Sequence, residues 1–585
     1  NIFTARLILD MSSHRSASSD GTKSQHVDGA DKEGIDRKPE QAADPEVKVA
    51  PSPNAQEDQW VTGFKLFNII TAVALVCLLM LLDTSIISTV SQPRDAEWRT
   101  TAYHVKQAIP RITSEFHSLV DVGWYGSAYQ LASAAIQPLT GRIYMNLNTK
   151  WTFVGFFFIF ELGSLICGIA TSSRMLIVGR AVAGIGGAGI LNGAFTIVSG
   201  CVPMSRRPTM IGLVMGVSQV GLAAGPLIGG ALTEYTTWRW CFYINLPIGG
   251  LVAIMLAFVN IPEVLPKKKF TTAIRELPGQ LDLIGFALFA PSAIQLLLAL
   301  QYGGNQFTWH SSQVIGLFCG AGATFIVFLL WDYKQGDKAM IPFSMIRKRV
   351  VWSSSLSYGL LMAQVFCVLW YLPQYFQAVK NDSPLMSGVH ILPSILAHLC
   401  GAVLAGKIIE RVGYYLPIML FATSLTTVSN GLLSTFSPDT STGKWIGYQI
   451  LLGASRSLGV QIPVIAVQNV LPPAQIPVAT ALVMFSQTLA GALFLTFSDT
   501  ILTNSLSTLI PKYAPSVDPK IIIHAGATEF RSYVSEQQLP GVVLAYSKSV
   551  DRVFYLTTGT AAGCFFFSCF MGWKDIRKKK TVSKA

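Results

Sequence analysis

Charged residues are scarce in this sequence. Asp, Glu, Lys and Arg together make up 13% of the 585 residues, whereas soluble domains contain about 25%. Hydrophobic residues make up 51%, and apolar runs recur along the chain. Runs of about 20 apolar residues are long enough to cross a hydrocarbon core of about 30 Å. These features exclude a soluble globular protein and predict an all-helical protein that crosses a membrane many times.

Patterns for metal sites, disulfide frameworks and catalysis are also lacking. The nine cysteines lie mostly inside apolar runs and the eight histidines are scattered, without metal-ligand spacing or an HExxH pattern. The sequence brings together no nucleophile and base. We therefore expect no enzyme activity, no metal and no bound cofactor.

Fourteen apolar spans are predicted. They are Phe64–Val90, Val120–Leu139, Trp151–Ala170, Met175–Gly200, Met210–Leu232, Trp240–Ile261, Leu281–Gln301, Gln313–Trp331, Trp352–Phe376, Ser387–Gly406, Tyr415–Phe436, Trp445–Val470, Val478–Leu502 and Val553–Trp573. Lys and Arg fall in alternate short loops, which the positive-inside rule assigns to the cytoplasm. This placement accounts for the net charge of +12 without a nucleic-acid partner and puts both chain ends in the cytoplasm.

The fifth span contains a row of glycines. Gly221, Gly225 and Gly229 recur every fourth residue and share one helix face, followed by Gly230. Small residues at this spacing let two helix backbones approach closely in lipid. Pro226 removes a backbone donor and predicts a bend. The row indicates either ordinary tight packing or a face on which two bodies rock, and we expect Gly225 to contact Gly401 of the tenth span.

A charged motif joins the tenth and eleventh spans. It contains Gly406, Glu410, Arg411 and Gly413. A carboxylate beside a guanidinium at a helix end can hold that helix against a neighbour in one state and release it in another. The alternative is an ordinary charged loop that anchors the helix ends.

A weaker copy of this motif joins the second and third spans. Gly141 and Lys150 keep its ends, whereas Met145 stands at the acidic position. The two copies are eight spans apart, which two six-helix halves with two extra helices between them would explain. Because Met145 has no charge, we expect the gate of the first half to depend less on charge.

These motifs resemble those of the major facilitator superfamily, in the fourteen-span drug:proton antiporter branch and its fungal toxin-efflux form. Further stretches that carry the resemblance are Leu82–Ile87, Gly179–Gly186, Gly221–Gly230 and Trp238–Pro247. The resemblance implies the major facilitator fold, with two six-helix bundles and two linker helices. It also implies export of hydrophobic small molecules, driven by the proton gradient.

The chain then divides into five regions. They are a disordered cytoplasmic tail at 1–63, an N-terminal six-helix bundle at 64–261, a linker with two helices at 262–350, a C-terminal six-helix bundle at 351–573 with a long external loop at 503–552, and a basic cytoplasmic tail at 574–585. The first tail is rich in Ser, Asp, Glu, Lys and Pro and has few aromatics, a composition typical of disorder.

Two charged residues inside the spans are the proton-coupling candidates. Charges within the bilayer face a cavity or a partner, because exposing them to lipid is costly. Burial favours the neutral form of Asp83, and a nearby cation favours its ionised form. Arg180 keeps its charge and is the expected switching partner. Alternatively, Asp83 faces water at the span end. Glu161, Asp499 and His398 are expected to be structural, hydrogen-bonded residues, with a role as proton sites as the alternative.

Polar side chains in otherwise apolar spans predict a cavity for bulky, poorly soluble organic molecules. The residues assigned to it are Gln130, Gln137, Gln219, Gln364, Tyr371 and Gln374. We expect a monomeric exporter in the plasma membrane, or alternatively in the vacuolar membrane. An importer on the same fold and a non-transporting membrane sensor are the other candidate functions.

Val90–Gln107 interrupts the resemblance to the family. Deleting these eighteen residues joins Ser88-Thr89 to Ala108-Ile109 and restores the family's sequence pattern. Val-Ser can be encoded by a donor splice sequence and Gln by an acceptor, so we hypothesise a translated short intron. The alternative is an external loop insertion. We also expect Asn1–Asp10 to lie upstream of the true start, Met11.

Overall fold

Helices make up almost all regular structure in the described part of the protein. The computed structural model describes residues 60–88, 112, 115–116, 121–263, 266–267, 270–304 and 306–577. Two isolated β-bridges are the only other regular pairing reported within these ranges. The predicted tail up to residue 59, the stretch Val90–Gln107 and residues 578–585 lie outside the described residues.

Six helices follow one another in the N-terminal half. They are α1 (Gly63–Ser88), α2 (Val122–Asn146), α3 (Thr149–Gly168), α4 (Ser173–Cys201), α5 (Arg207–Tyr235) and α6 (Asn245–Ala257). The linker and the C-terminal half follow. Their long helices are α7 (Leu283–Tyr302), α8 (Ser312–Gln335), α9 (Arg349–Ala378), α10 (Pro384–Val412), α11 (Tyr415–Leu433), α12 (Thr442–Gly459), α13 (Ile476–Tyr513) and α14 (Leu539–Ser568).

Each predicted span overlaps one of these helices. Among the described residues, eleven helical segments are long and apolar enough to cross a membrane. The helices α2, α5 and α14 are not among the eleven, but they contain 25, 29 and 30 residues and overlap predicted spans. The structure is therefore consistent with fourteen crossings.

Two predicted spans are interrupted helices. The sixth consists of a short turn at Trp240–Tyr243 followed by α6, and the twelfth consists of α12 followed by Ile462–Val470. Each break lies four residues before a proline, Pro247 or Pro463. Proline has no N–H to bond the carbonyl four residues earlier, and this missing bond permits the helix to break there.

The predicted external loop at 503–552 is largely helical, which corrects the prediction. The helix α13 continues to Tyr513, a further helix covers Pro519–Glu529, and α14 begins at Leu539. The charged residues in this stretch lowered its apparent hydropathy, although the helices extend beyond the apolar core of each span.

The linker helices lie against both halves. Gln301 of α7 donates a 2.9 Å hydrogen bond to Ser127 of α2. On the other side, the rings of Phe289 in α7 and Phe485 in α13 are 5.1 Å apart. After α8, the carbonyl of Asp337 accepts a 2.9 Å hydrogen bond from Arg142 of α2. The linker thus covers the α2–α13 boundary between the halves.

Candidate functional site

A buried ion pair joins α1 to α4. The Arg180 guanidinium lies 2.5 Å from the Asp83 carboxylate, and the two side chains are 1% and 0% exposed. A charge that is removed from water requires a partner of opposite sign. The structure thus brings together the two residues that the sequence assigns to proton coupling, while the coupling role itself stays a prediction.

Neutral groups complete the environment of this pair. Asn245, at the start of α6, donates to the second Asp83 oxygen at 3.2 Å and to Ser164 of α3 at 3.1 Å. Arg180 also donates to the carbonyl of Tyr125 at 3.0 Å and lies over the Tyr129 ring. The pair and its partners therefore lie on five helices, α1, α2, α3, α4 and α6. A change in the charge of the pair thus affects most of the N-terminal bundle.

Glu161 lies one helical turn from Ser164 on α3. Both of its carboxylate oxygens are buried and have no hydrogen-bond partner among the described residues. A Cβ atom at Gly249 of α6 would lie 2.6 Å from the Glu161 carboxyl carbon, so this glycine makes room for the acid. Burying a carboxyl group without hydrogen-bond partners costs free energy.

The glycine row of α5 packs on α1, not on α10 as predicted. A Cβ atom at Gly221 would lie 3.1 Å from the Leu82 nitrogen, and one at Gly229 would lie 2.8 Å from Ile86. Between them, a Cβ atom at Gly225 would overlap the Ser85 hydroxyl. The surroundings of Pro226 and Gly230 fall outside the described residues, although α5 continues through both positions.

A different pair of glycines makes the contact between α5 and α10. A Cβ atom at Gly216 would lie 3.2 Å from Leu399, and one at Gly212 would overlap the Ala402 carbonyl. Gly401 faces Ser457 of α12 instead. The predicted Gly225–Gly401 contact is therefore wrong in this conformation. Gly216 and Gly221 are five residues apart, so the two rows lie roughly 140° apart around α5.

The charged motif at the end of α10 contacts the first turn of α5. A Cβ atom at Gly406 would lie 2.5 Å from the Thr209 Cα and 2.8 Å from the Pro208 carbonyl. Glu410 accepts a 2.7 Å hydrogen bond from the Thr209 hydroxyl. The motif thus joins the C-terminal half to the N-terminal half at a loop predicted to be cytoplasmic.

The segment after α14 folds back onto this motif. Gly413 ends α10 with a φ of +80°, a backbone conformation that favours glycine. Its carbonyl accepts a 2.9 Å hydrogen bond from Ile576, and the Arg411 carbonyl accepts one of 3.1 Å from Arg577. Tyr414 and Asp575 form an isolated bridge beside them. Residues after the last span therefore cover the second-half motif.

The weaker motif, which begins in the last turns of α2, makes the equivalent contact without charge. A Cβ atom at Gly141 would lie 2.6 Å from the Val478 Cα and 2.9 Å from the Pro477 carbonyl, in the first turn of α13. Lys150 instead donates a 3.0 Å hydrogen bond to the Ala257 carbonyl at the end of α6. Lys150 therefore connects two helices of one bundle and does not bridge the halves.

The two motif contacts define the conformation. Gly141 meets Val478 and Gly406 meets Thr209, both at loops predicted to be cytoplasmic. These contacts bring the two halves together on that side. The structure is therefore a conformation closed toward the predicted cytoplasm.

The stretch Trp238–Pro247 contributes Arg239 to a second ion pair, with Glu115. Glu115 accepts a 2.7 Å hydrogen bond from the Trp238 indole and one of 2.9 Å from Arg239. The Trp238 hydrogen bond, assisted by Arg239, holds the pKa of Glu115 below its ordinary value of 4.5 despite partial burial. This pair connects the α1–α2 connection to the start of the interrupted sixth span.

A cavity lies between α5 and three helices of the C-terminal half, α9, α10 and α12. It contains about 630 Å³ of space free of protein atoms, part of it open to solvent. Most of its lining is apolar, and its polar side chains include Gln219, His398 and Arg456. Ligand pockets of organic molecules likewise have mostly apolar walls with a few polar side chains.

The predicted cavity residues divide into two groups. Gln219 lines the cavity, and Gln364 lies next to it, because its carbonyl accepts a 3.2 Å hydrogen bond from Arg456. The remaining four are not among the lining residues of this cavity, so their assignment stays a prediction. They are Gln130, Gln137, Tyr371 and Gln374.

Two residues were missed by sequence reasoning. Arg456 was not selected, although an arginine within the apolar stretch Trp445–Val470 is the same signal that singled out Arg180. Asn245 was placed in a motif without a role, because an uncharged amide gives no comparable signal. The structure shows Asn245 bound to Asp83 and Arg456 at the cavity wall.

Comparisons with known proteins agree with this architecture. The chain is 60% identical over 530 residues to the MFS-type transporter pigP of Monascus ruber, covering 91% of this chain and 90% of that protein. It is 48% identical over 531 residues to the efflux pump mlcE of Penicillium citrinum, covering 89% and 93%.

Solved structures share the fold at low sequence identity. The proton:xylose symporter XylE matches with a TM-score of 0.52 at 13% identity, covering 88% of this chain and 97% of that one. The human organic anion transporter MFSD10 matches with a TM-score of 0.53 at 14% identity, covering 87% and 100%. At these identities the likeness shows the fold alone. Residues 73–495 match the family described as Major Facilitator Superfamily, and the chain therefore belongs to this family of membrane transporters.

Proposed function

We propose that this protein is a proton-coupled antiporter that exports hydrophobic small molecules, such as fungal toxins, other secondary metabolites or drugs. The buried pair of Asp83 and Arg180 is the observation that carries the coupling. The proposal includes a monomer in the plasma membrane, with the vacuolar membrane as the alternative. The proton gradient drives it, and it requires no cofactor.

Proton binding at Asp83 changes the energy of the whole bundle. Protonation leaves the buried Arg180 charge without its partner, and breaking a buried pair in this way costs about 3–5 kcal/mol. The Tyr125 carbonyl and the Tyr129 ring offset only part of this cost. A rearrangement that gives Arg180 more water or another acceptor therefore becomes favourable. Proton binding is coupled to conformational change by this difference in free energy.

The glycine row indicates which helices can move in this rearrangement. Gly221 and Gly225 lie against α1 at Leu78, Leu82 and Ser85, next to Asp83 in the same helix. A side-chain-free face permits α1 and α5 to slide over one another without interlocking. Since α5 also contacts α10 through Gly212 and Gly216, a shift at α1 reaches the boundary between the halves.

Export is the direction that the relatives support. The protein mlcE of Penicillium citrinum, which is 48% identical over 531 residues, is named an efflux pump. We extend that direction to this chain. An importer on the same fold is the alternative, because the fold is shared with a proton symporter. A non-transporting sensor is the second alternative.

Coupling can be tested without knowing the substrate. Spin labels at Arg206 and Arg347, both exposed at the predicted cytoplasmic side, report the opening of that side. We expect acid pH to lengthen this distance in the wild type. The Asp83→Asn variant should show the longer distance at every pH, whereas Asp439→Asn, which changes an exposed carboxylate, should behave like the wild type. An unchanged pH response in Asp83→Asn would contradict the coupling role.

Direction requires a cellular measurement. Deleting the gene should raise the mycelial content of hydrophobic metabolites and lower their amount in the medium. Metabolite profiles of the deletion strain and of a strain with the gene restored give this comparison. Reduced uptake from the medium would support the importer, and normal transport in both directions would support the sensor.

A further inference from the structure

Arg456 is a buried cation that has no anionic partner in the part of the chain that the structure describes. Its side chain is 7% exposed. Its Nε is buried and has no hydrogen-bond partner among the described residues, and one terminal nitrogen donates to the Gln364 carbonyl at 3.2 Å. None of the ion pairs reported for the described part of the chain includes Arg456. A guanidinium keeps its charge when buried, so this charge needs compensation from outside the protein.

The first half of the repeat shows what is missing. Each half has an arginine on its fourth helix, Arg180 on α4 and Arg456 on α12. Each arginine donates a hydrogen bond to the first helix of its own half, α1 or α9. In the first half, Asp83 of α1 neutralises Arg180. In the second half, the group of α9 that Arg456 contacts is the uncharged backbone carbonyl of Gln364. The counter-charge present in one half is absent at this contact in the other.

The charge lies at the wall of the cavity. Arg456 lines it together with Gln219, His398 and apolar side chains of α9 and α10. The Nε2 atom of His398 is also buried without a partner among the described residues. The helix break at Val460 and Gln461 follows directly after α12, and interrupted helices mark binding sites in transporters. Two residues that line this apolar cavity, Arg456 and His398, thus each have one buried nitrogen without a partner among the described residues.

We infer that this cavity takes an amphipathic organic acid, whose carboxylate binds Arg456 while its apolar body lies against α9 and α10. The inference rests on the proposed export function and specifies its substrate class. A planar guanidinium binds a carboxylate through two parallel hydrogen bonds, and Nε is the donor left free for one of them. His398 is placed to bind a second polar group of the same molecule.

A matched pair of fluorescent probes tests this preference. Pyrenebutyrate and pyrenebutanol have the same apolar body, and one ends in a carboxylate and the other in an alcohol. We expect the purified wild-type protein in phosphatidylcholine nanodiscs to bind pyrenebutyrate about tenfold to a hundredfold more tightly, as expected for a charged hydrogen bond. Equal or undetectable binding of the two probes would overturn the inference.

Three variants locate the preference at Arg456. Arg456→Gln should lose it, with pyrenebutanol binding unchanged, and Arg456→Lys should keep part of it. Lys444→Gln removes an exposed cation from the same helix and serves as the matched control. If Arg456→Gln weakens both probes equally, the residue has only a structural role.

Gln364→Glu provides the reciprocal test. It supplies the second half with an acid on the first helix, as Asp83 does in the first half. The side chain of Gln364 accepts a 2.6 Å hydrogen bond from Asn430, and a glutamate keeps this acceptor. We expect this variant to fold and to lose the carboxylate preference, because its own carboxylate replaces that of the ligand. A retained preference would contradict the inference even if Arg456→Gln does not fold.

Two further experiments distinguish the possible sources of the bound anion and separate a failure of this inference from a failure of the proposed function. Adding phosphatidylglycerol to the nanodiscs should leave pyrenebutyrate binding unchanged. Displacement of the probe in the wild type would instead assign the anion site to a lipid headgroup. The Asp83→Asn variant should keep the carboxylate preference while losing the pH response. Loss of coupling alone therefore contradicts the proposed function, and loss of the preference alone contradicts this inference.

Discussion

Thr209 of α5 donates a 2.7 Å hydrogen bond to Glu410 of α10 across the boundary between the two halves. The other half has Val478 and Met145 at the equivalent positions, as judged from the motif glycines that meet Pro208-Thr209 and Pro477-Val478. Both partners are polar on one side of the repeat, and both are apolar on the other. The two closures on the predicted cytoplasmic side therefore differ in their chemistry.

Removing the polar closure should favour opening on that side. We expect Glu410→Gln to weaken the contact between the two halves. The double variant Thr209→Val with Glu410→Met copies the apolar pair of the other half and should weaken this contact less than Glu410→Gln does. A hydrogen bond to a charged group contributes about 1–3 kcal/mol, which is enough to shift a two-state equilibrium severalfold. Spin-label distances between positions 206 and 347 measure the shift. The same distribution in Glu410→Gln as in the wild type would exclude a gating role for this bond.

The Asp83–Arg180 pair should behave as one unit in unfolding. Asp83→Asn and Arg180→Gln each leave one buried charge or dipole unmatched, and breaking a buried pair costs about 3–5 kcal/mol. The double variant should lose less than the sum of the two single losses, because no uncompensated charge remains. Thermal unfolding of the four proteins in detergent measures this cycle. Additive losses would show that the two side chains do not interact.

Gly221 is predicted to tolerate no side chain. A Cβ atom there would overlap the Leu78 carbonyl, so α1 and α5 would have to separate. We expect Gly221→Ala to lower stability by about 1–3 kcal/mol. Gly250→Ala is the matched control, because nothing lies within 4 Å of a Cβ atom at that position in α6. Thermal unfolding in detergent compares the two, and equal midpoints would argue against close contact of α1 and α5.

Glu115 should make stability depend on acid pH. Its pKa in the folded protein lies below 4.5, mainly because Trp238 donates to the carboxylate. The ionised Glu115 carboxylate therefore stabilises the folded protein fully at pH values above its ordinary pKa. This stabilisation is lost as the pH falls through the lower pKa of the folded state. We expect Glu115→Gln to unfold more readily than the wild type at neutral pH and equally at strongly acid pH. Glu536→Gln, at an exposed position, should show no such convergence.

Val90–Gln107 is expected to be missing from the native protein. Transcript sequencing should show these eighteen codons removed in frame. Mass spectrometry of the protein from its own organism provides the second measurement. A native peptide that contains Trp98 would establish an external loop insertion instead.

Apolar runs were sufficient to locate the membrane helices, because lipid selects strongly for length and hydropathy. They did not reveal where the sixth and twelfth spans break, although Pro247 and Pro463 gave the signal. The contact of Asp83 with Arg180 followed from the cost of isolated charges in a bilayer. The partner of the Gly221 row did not, because a small-residue face fits any smooth neighbour. Arg456 was overlooked although an arginine inside an apolar stretch is the signal that singled out Arg180.

The segment that follows α14 has a practical consequence. Ile576 and Arg577 bond to the carbonyls of Gly413 and Arg411, so this stretch is attached to the loop that closes the two halves. When that loop moves, these residues must either move with it or lose their hydrogen bonds to it. A small fluorescent dye attached to this segment would therefore report the movement of the loop during transport without entering the substrate cavity. A bulky protein fused at the same place would hinder that movement and slow transport.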